Sequence, residues 1–380
     1  MANMNPAEAE PQVEKQTALE TLKGFFSALL ERGVVDALLV PQQVPGGKIV
    51  VHTLVTDPSE LEGLDPVAPV LMRNSASMVS DLSFQAPKGK VAAAMRPCEI
   101  KALVELVKFK QASLDPIVLI GVDCAGTFEP KEYTQIVAAH GGPVSEQVLD
   151  AFFEGKGLSI GGYEVREACR ICEAPSPANY QILIALWGAD SESGPAIVPL
   201  DEKGKEIIER AGVQPQEKPL NHSDIVQRIV SERSALARKV IEEFAKRIST
   251  LDGLVDEFAA CKRCMNCRAE CPICYCRECV FCSPTFVHES SKYIKWARQR
   301  KIIKMPVETL LFHLTRLNHM VTSCVGCGQC SSACPNGLPV MELFRTIGSN
   351  VQKIFDYVPG RSLDEEPPLT TFREDELEPK

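Results

Sequence analysis

From Thr17 onward the apolar residues recur at two alternating periods, and the switches between them outline an α/β domain. Ala18 to Arg32 places apolar side chains three and four apart, the pattern of a helix with one buried face. Val34 to Val40 and Lys48 to Leu54 are apolar runs of strand length. The clearest unit comes next. Val91 to Met95 reads as a strand, Glu99 to Gln111 sets Ile100, Leu103, Val104 and Val107 at helical spacing, and Ile117 to Val122 is a second apolar strand. A strand-helix-strand succession predicts two parallel strands joined by a right-handed crossover. Ile182 to Trp187 is a further strand candidate, so residues 17–190 are expected to form an α/β domain with a parallel sheet.

The pattern then changes. Asp190 to Ser223 is rich in glycine and proline and predicts loop, whereas Ala235 to Ile248 predicts an amphipathic helix burying Leu236, Val240, Ile241, Phe244 and Ile248. Residues 191–255 thus read as linker and helix. Lys292 to Lys304 and Val307 to Met320 have helical periods, which makes residues 256–360 a mainly α-helical unit. Residues 1–16 are polar, and 361–380, from Leu363 on acidic and without periodicity, read as a disordered tail.

Cysteine changes the picture most. The chain has 16, and the spacing Cys-x2-Cys-x2-Cys-x3-Cys-Pro occurs twice, at Cys261, Cys264, Cys267, Cys271 and at Cys324, Cys327, Cys330, Cys334. This is the bacterial ferredoxin run, in which the cysteine before proline normally ligates the other cluster. The expected ligand sets are therefore Cys261, Cys264, Cys267 with Cys334, and Cys324, Cys327, Cys330 with Cys271, each around a 4Fe-4S cluster. Zinc would leave half of each run idle. The long segment between Cys271 and Cys324 points to a helical dicluster ferredoxin-like module rather than a compact one.

Eight cysteines remain. Cys274, Cys276, Cys279 and Cys282 form a dense quartet that reads as a third cluster, as zinc, or as partial use with ligand exchange with the neighbouring run. Cys98 and Cys124 each follow a strand of the crossover, outside the carboxyl edge where ligands gather in parallel sheets. With Cys169 and Cys172 they read as a fourth cluster, as structural zinc, or as buried free thiols. Sixteen thiols thus divide into four sets of four.

Charge and motifs exclude several classes. A net charge of -9 opposes general binding to phosphate backbones. No GxGxxG fingerprint follows a strand and no P-loop motif occurs, and no molybdopterin, nickel or haem signature is present. The N-terminus lacks the basic and apolar segments of a secretory signal, and no apolar run reaches the roughly 18 residues that span a bilayer. The expectation is a cytoplasmic protein whose thiols serve metal rather than disulfides. His313 and His319 read as packing or surface residues. The stretch Lys292, Lys295, Arg298, Arg300, Lys301, Lys304 around Trp296 reads as a solvated face or as a docking surface for an acidic partner.

Residues Ala94 to Gln111 and the following Gly121-Val-Asp-Cys-Ala-Gly resemble the beta subunits of deazaflavin-dependent hydrogenases and formate dehydrogenases. Cys271-Pro-Ile-Cys-Tyr-Cys-Arg-Glu-Cys279 is similar to formate dehydrogenase beta subunits of methanogen type, and Asn318 to Gly360 resembles the helical dicluster ferredoxins of heterodisulfide reductase-like subunits. The resemblance implies an electron-transfer subunit in a hetero-oligomer with a catalytic oxidoreductase subunit and a second redox subunit, relaying electrons through up to four 4Fe-4S clusters. It also implies an alternative, a beta subunit that holds FAD and transfers hydride to or from a deazaflavin or nicotinamide. No catalytic or flavin-binding residue is assigned by either reading.

Overall fold

The structure, a computed structural model, describes residues 17–84, 89–190, 194–301 and 308–370. Its strands are β1 (Ala37–Gln43), β2 (Val50–Val55), β3 (Val91–Met95), β4 (Ile117–Val122), β5 (Ser159–Ile160), β6 (Tyr163–Glu164), β7 (Ile182–Ala185) and β8 (Ala196–Pro199). Six of them form one sheet in the order β2-β1-β3-β4-β7-β8, and β5 and β6 pair separately. β1, β3, β4 and β7 run parallel, and the edge strands β2 and β8 run antiparallel to their neighbours. Every residue of β3, β4 and β7 is buried, as expected of strands covered on both faces.

On one face, Leu22, Phe25, Phe26 and Leu29 of the helix Ala18–Glu31 pack with Leu38, Ala92, Ile120 and Trp187. On the other, Ile100, Leu103 and Leu106 of the helix Pro97–Lys108 pack with Leu39, Ala93, Leu119 and Leu183. The first helix begins with a reciprocal cap, in which the Glu20 amide donates to the Thr17 hydroxyl at 3.3 Å and the Thr17 amide to the Glu20 carboxylate at 2.9 Å. The second begins where the Arg96 amide donates to buried Glu99 at 2.8 Å, and this turn carries Cys98 just past the end of β3.

The remainder is helical, with His222–Arg247, Ser290–Arg300, Thr309–Met320 and Val340–Ile354 as its longest elements. Several expectations are corrected. Asp190 to Ser223 is not all loop, for it contains β8 and the helix Glu202–Arg210, which is capped by Asp201 accepting from the Gly204 amide at 2.7 Å. That helix is short and buries only Gly204, Ile207 and Ile208. Ala235 to Ile248 is the second half of one helix, His222–Arg247, whose first half buries His222 and Ile229. Helices are also present at Ala76–Phe84, Pro130–His140 and Ser145–Phe153, where no individual helix was named, and Val340–Ile354 lies within the unit expected to be mainly helical. The reading of residues 1–16 lies outside the described residues, as does that of 371–380. Residues 361–370 are described as turns, with Glu365 paired to Arg361 and 3.9 Å from Lys108.

The helical region lies against the carboxyl edge of the sheet. Its C-terminal segment is clamped to the helix Pro97–Lys108 by buried Glu105, which accepts from the Tyr357 hydroxyl at 2.7 Å, the Gly360 amide at 2.8 Å and Lys108 at 3.2 Å. Among the described residues no helix is long and apolar enough to cross a membrane.

Candidate iron-sulfur sites

Each ferredoxin-type run enters a single helical turn through a left-handed residue, Met265 (φ 64°) before Asn266–Ala269 and Gly328 (φ 75°) before Gln329–Ser332. The reversal curls three cysteines of a run around one hollow. One small hollow is lined by Cys261, Cys264, Cys267 and Cys334, with Phe312, His313 and Val340 among its walls. A second is lined by Cys271, Cys324, Cys327 and Cys330, with Ile273, Val325, Met341 and Phe344. The cysteine that precedes proline in each run thus lines the other run's hollow.

Donors surround the first hollow. The Arg263 amide donates to Cys261 Sγ at 3.4 Å and the Leu338 amide to Cys334 Sγ at 3.4 Å. Arg316 Nη1 donates to Cys267 Sγ at 3.2 Å, and His313 Nε2 lies 3.4 Å from Cys261 Sγ. Burial, with Arg316 beside it, pulls His313 down to about 4, so the ring is neutral at neutral pH. His313 therefore packs against a thiol and shares one hydrogen bond with it, while His319 is exposed.

The N-domain quartet gathers at the sheet edge, as its placement after β3 and β4 anticipates. Cys98 stands in the field of Cys124, Cys172 and Cys327, and Cys124 in that of Cys169 and Cys172. Asp123 anchors this edge by accepting from the Leu186 amide at 2.9 Å and lying 2.9 Å from His222 Nε2. From the same helix as His222, Arg233 donates to the Ala125 carbonyl at 2.8 Å and the Cys172 carbonyl at 3.5 Å. Buried Arg166 then joins this quartet to the second run. Its Nε donates to Thr127 Oγ1 at 2.9 Å, Nη1 to Ser332 Oγ at 3.0 Å, and Nη2 to the Cys327 carbonyl at 3.2 Å and to Cys169 Sγ at 3.7 Å. Gly328 permits the close approach, because a Cβ there would run into the Cβ of Ala168.

The third quartet is looser. Cys274, Cys276 and Cys279 line an open cleft of about 500 Å³ with Phe109, Tyr275, Arg268 and Arg316, whereas Cys282 is exposed with its Sγ 3.7 Å from Met265 Sδ. Arg268 supplies positive charge to Cys282, Cys274 and Cys279 and donates to the Cys276 carbonyl at 2.8 Å.

These environments bear on which group the thiols could hold. Burial, then repulsion from Cys271, pushes Cys327 up to about 12 and Cys274 to about 11; Cys330 lies well above its ordinary value for the same causes. Burial also pushes Cys124 and Cys267 to about 11, the latter against the pull of Arg316. At Cys169 burial works upward too, but Arg166 and the bonds from Thr127 outweigh it and hold the thiol below its usual range. If ionised together, thiols crowded in this way would need positive charge inside the hollow, which a metal would supply. Among the described residues no three His, Cys, Asp or Glu side chains converge as for a single metal ion. Four thiols bounding a hollow suit a cluster, whose irons are spread around a cube.

Arg166 and Arg316 were not singled out by sequence, and His313 was read only as a packing or surface residue. A signal existed for Arg316: Phe312, Arg316, Leu317 and Met320 share one helical face, and an arginine on an apolar face is unusual.

No family model matches the chain. It is 26% identical over 361 residues to the F420-dependent formate dehydrogenase subunit beta of Methanocaldococcus jannaschii, covering 88% of this chain and 90% of that protein. It is 27% identical over 387 residues to the F420-dependent formate dehydrogenase 1 subunit beta of Methanococcus maripaludis, covering 94% of each. A chain of the F420-reducing [NiFe] hydrogenase complex from Methanosarcina barkeri aligns over 63% of this chain and 89% of its own length, at 14% identity and a TM-score of 0.41. Over most of its length, this chain is a relative of F420-dependent formate dehydrogenase beta subunits.

Proposed function

We propose that this protein is an iron-sulfur electron-transfer subunit of a cytoplasmic oxidoreductase complex of the formate dehydrogenase, hydrogenase or heterodisulfide reductase type. In this reading it relays electrons between a catalytic subunit and a second redox subunit. The carrying observation is the grouping of the cysteines: two hollows each lined by four, with Cys98 of the N-domain quartet in the field of Cys327 of the second. When bound, 4Fe-4S clusters supply one-electron carriers. Cys261, Cys264, Cys267 and Cys334 would hold one, and Cys271, Cys324, Cys327 and Cys330 a second, in a helical dicluster ferredoxin-like module. Cys98, Cys124, Cys169 and Cys172 would hold a third, and Cys274, Cys276, Cys279 and Cys282 a fourth. The chain's own part is to exclude water from the hollows, aim N–H donors at sulfur and keep neighbouring sets in contact through Arg166 and Arg316.

A second reading, a FAD-bearing subunit that itself exchanges hydride with a deazaflavin or nicotinamide, is favoured only by the coenzyme named for the relatives. Iron, acid-labile sulfide, zinc and flavin are to be measured per chain on anaerobically purified protein. Iron and sulfide matching four cubanes without flavin supports the relay, stoichiometric FAD moves hydride transfer ahead, and zinc in place of iron rejects both.

A further inference from the structure

We propose that Arg316 is a shared positioning residue, one buried cation that raises the reduction potentials of the first-run, second-run and third-quartet sites together. The inference rests on the cluster reading above and adds that these three sites are electrostatically one centre. Arg316 sits on the helix Thr309–Met320 and is 4% exposed. Its Nη1 donates to Cys267 Sγ at 3.2 Å and its Nη2 to the Cys267 carbonyl at 3.0 Å, which binds it to the first run. The same side chain lines both the hollow of Cys271, Cys324, Cys327 and Cys330 and the cleft of Cys274, Cys276 and Cys279.

Nothing else accounts for the charge. Among the described residues the charges that act most on Arg316 are those of Cys267, Cys271, Cys330 and Cys274, not a carboxylate, and its buried Nε has no hydrogen-bond partner. The guanidinium rests instead near the rings of Phe312 and Phe344, 5.5 and 5.2 Å from their centres. A buried cation without a counter-charge is costly. Clusters held by four thiolates are net negative, and become more so on taking an electron. A cation bordering all three sites therefore favours the reduced state of each, and the N–H···S bond adds to this at the first run. Arg268, in contrast, serves the third quartet alone, and Arg166 the N-domain quartet and the second run.

The test is an EPR-monitored redox titration of the full chain, purified anaerobically with iron quantified, for wild type, Arg316→Gln, Arg316→Lys and Arg268→Gln. In Arg316→Gln with iron retained, at least two cluster signals should move to lower potential together. Arg316→Lys keeps charge but loses the planar fork. Its second-run signal should stay near wild type while the first-run signal falls. Arg268→Gln should move the third-quartet signal alone. Unchanged potentials in an iron-loaded Arg316→Gln chain, or movement of a single signal, would overturn the proposal. If the glutamine variant fails to load, the lysine variant decides: iron retained with the expected split supports it, and loss of iron in lysine as well makes Arg316 merely structural. Wild-type protein without iron and sulfide would instead sink the cluster reading itself.

Discussion

Replacing Arg166 with Met is predicted to loosen the joint between the α/β domain and the cysteine-rich region. The guanidinium reaches Thr127 and Cys169 on one side and Ser332 and the Cys327 carbonyl on the other. Thr127 keeps its contact with Cys169 Sγ at 3.4 Å, and Ser332 keeps Glu129 as acceptor at 3.1 Å. The Cys327 carbonyl loses its side-chain donor, and the Nη1 bond that ties Ser332 across the joint disappears. Hydrogen bonds to a charged group contribute about 1.5–3 kcal/mol each, about 3–6 kcal/mol for these two, and burying the methionine side chain returns about 1–2 kcal/mol. The net cost is then about 2–4 kcal/mol. At roughly 2 °C per kcal/mol, this is a fall of about 4–8 °C in melting temperature. Thermal unfolding of the anaerobic, iron-loaded chain by circular dichroism reads it. Arg166→Lys should fall in between, since an ammonium can keep one or two of the bonds. A drop under about 1 °C in the methionine variant, with iron unchanged, would refute the assignment of Arg166 as the bridge.

Three further outcomes are expected. Cys271→Ser should damage the cluster of Cys324, Cys327 and Cys330 more than that of its own run, seen as selective loss of one EPR signal; loss confined to the first run's signal would mean that each run closes its own site. Gly328→Ala combines left-handed strain of about 1–2 kcal/mol with collision against Ala168 and should reduce iron at both the N-domain quartet and the second run. Gly337→Ala, also left-handed but facing open space, should cost only the strain, and equal melting temperatures for the two variants would contradict this. Burial lowers His52 below 6.5, against the pull of Glu99. Its contribution to stability is thus complete above 6.5 and is lost as pH falls below it, where the unfolded chain binds a proton that the folded one refuses. Denaturant titrations of His52→Gln should show a flatter pH dependence on that side, and curves parallel to wild type would refute it.

The amino-acid sequence by itself determined the crossover of β3 and β4, because burial on both faces leaves an uninterrupted apolar run and the intervening helix its own period. It also set the grouping of cysteines along the chain, and the placement of Cys98 and Cys124 beyond strand ends follows from topology alone. The loop reading of Asp190 to Ser223 followed its glycines and prolines, which flank β8, four residues long, and the short amphipathic helix Glu202–Arg210. Only the tertiary structure decided that Arg166 would reach a carbonyl 161 residues away, that His313 would touch Cys261, and that Arg316 would border three cysteine sets. Periodicity reports which face of an element is buried, but the partner of that face is chosen by packing between elements distant in sequence. A buried charge gains its meaning only from the groups that packing brings to it.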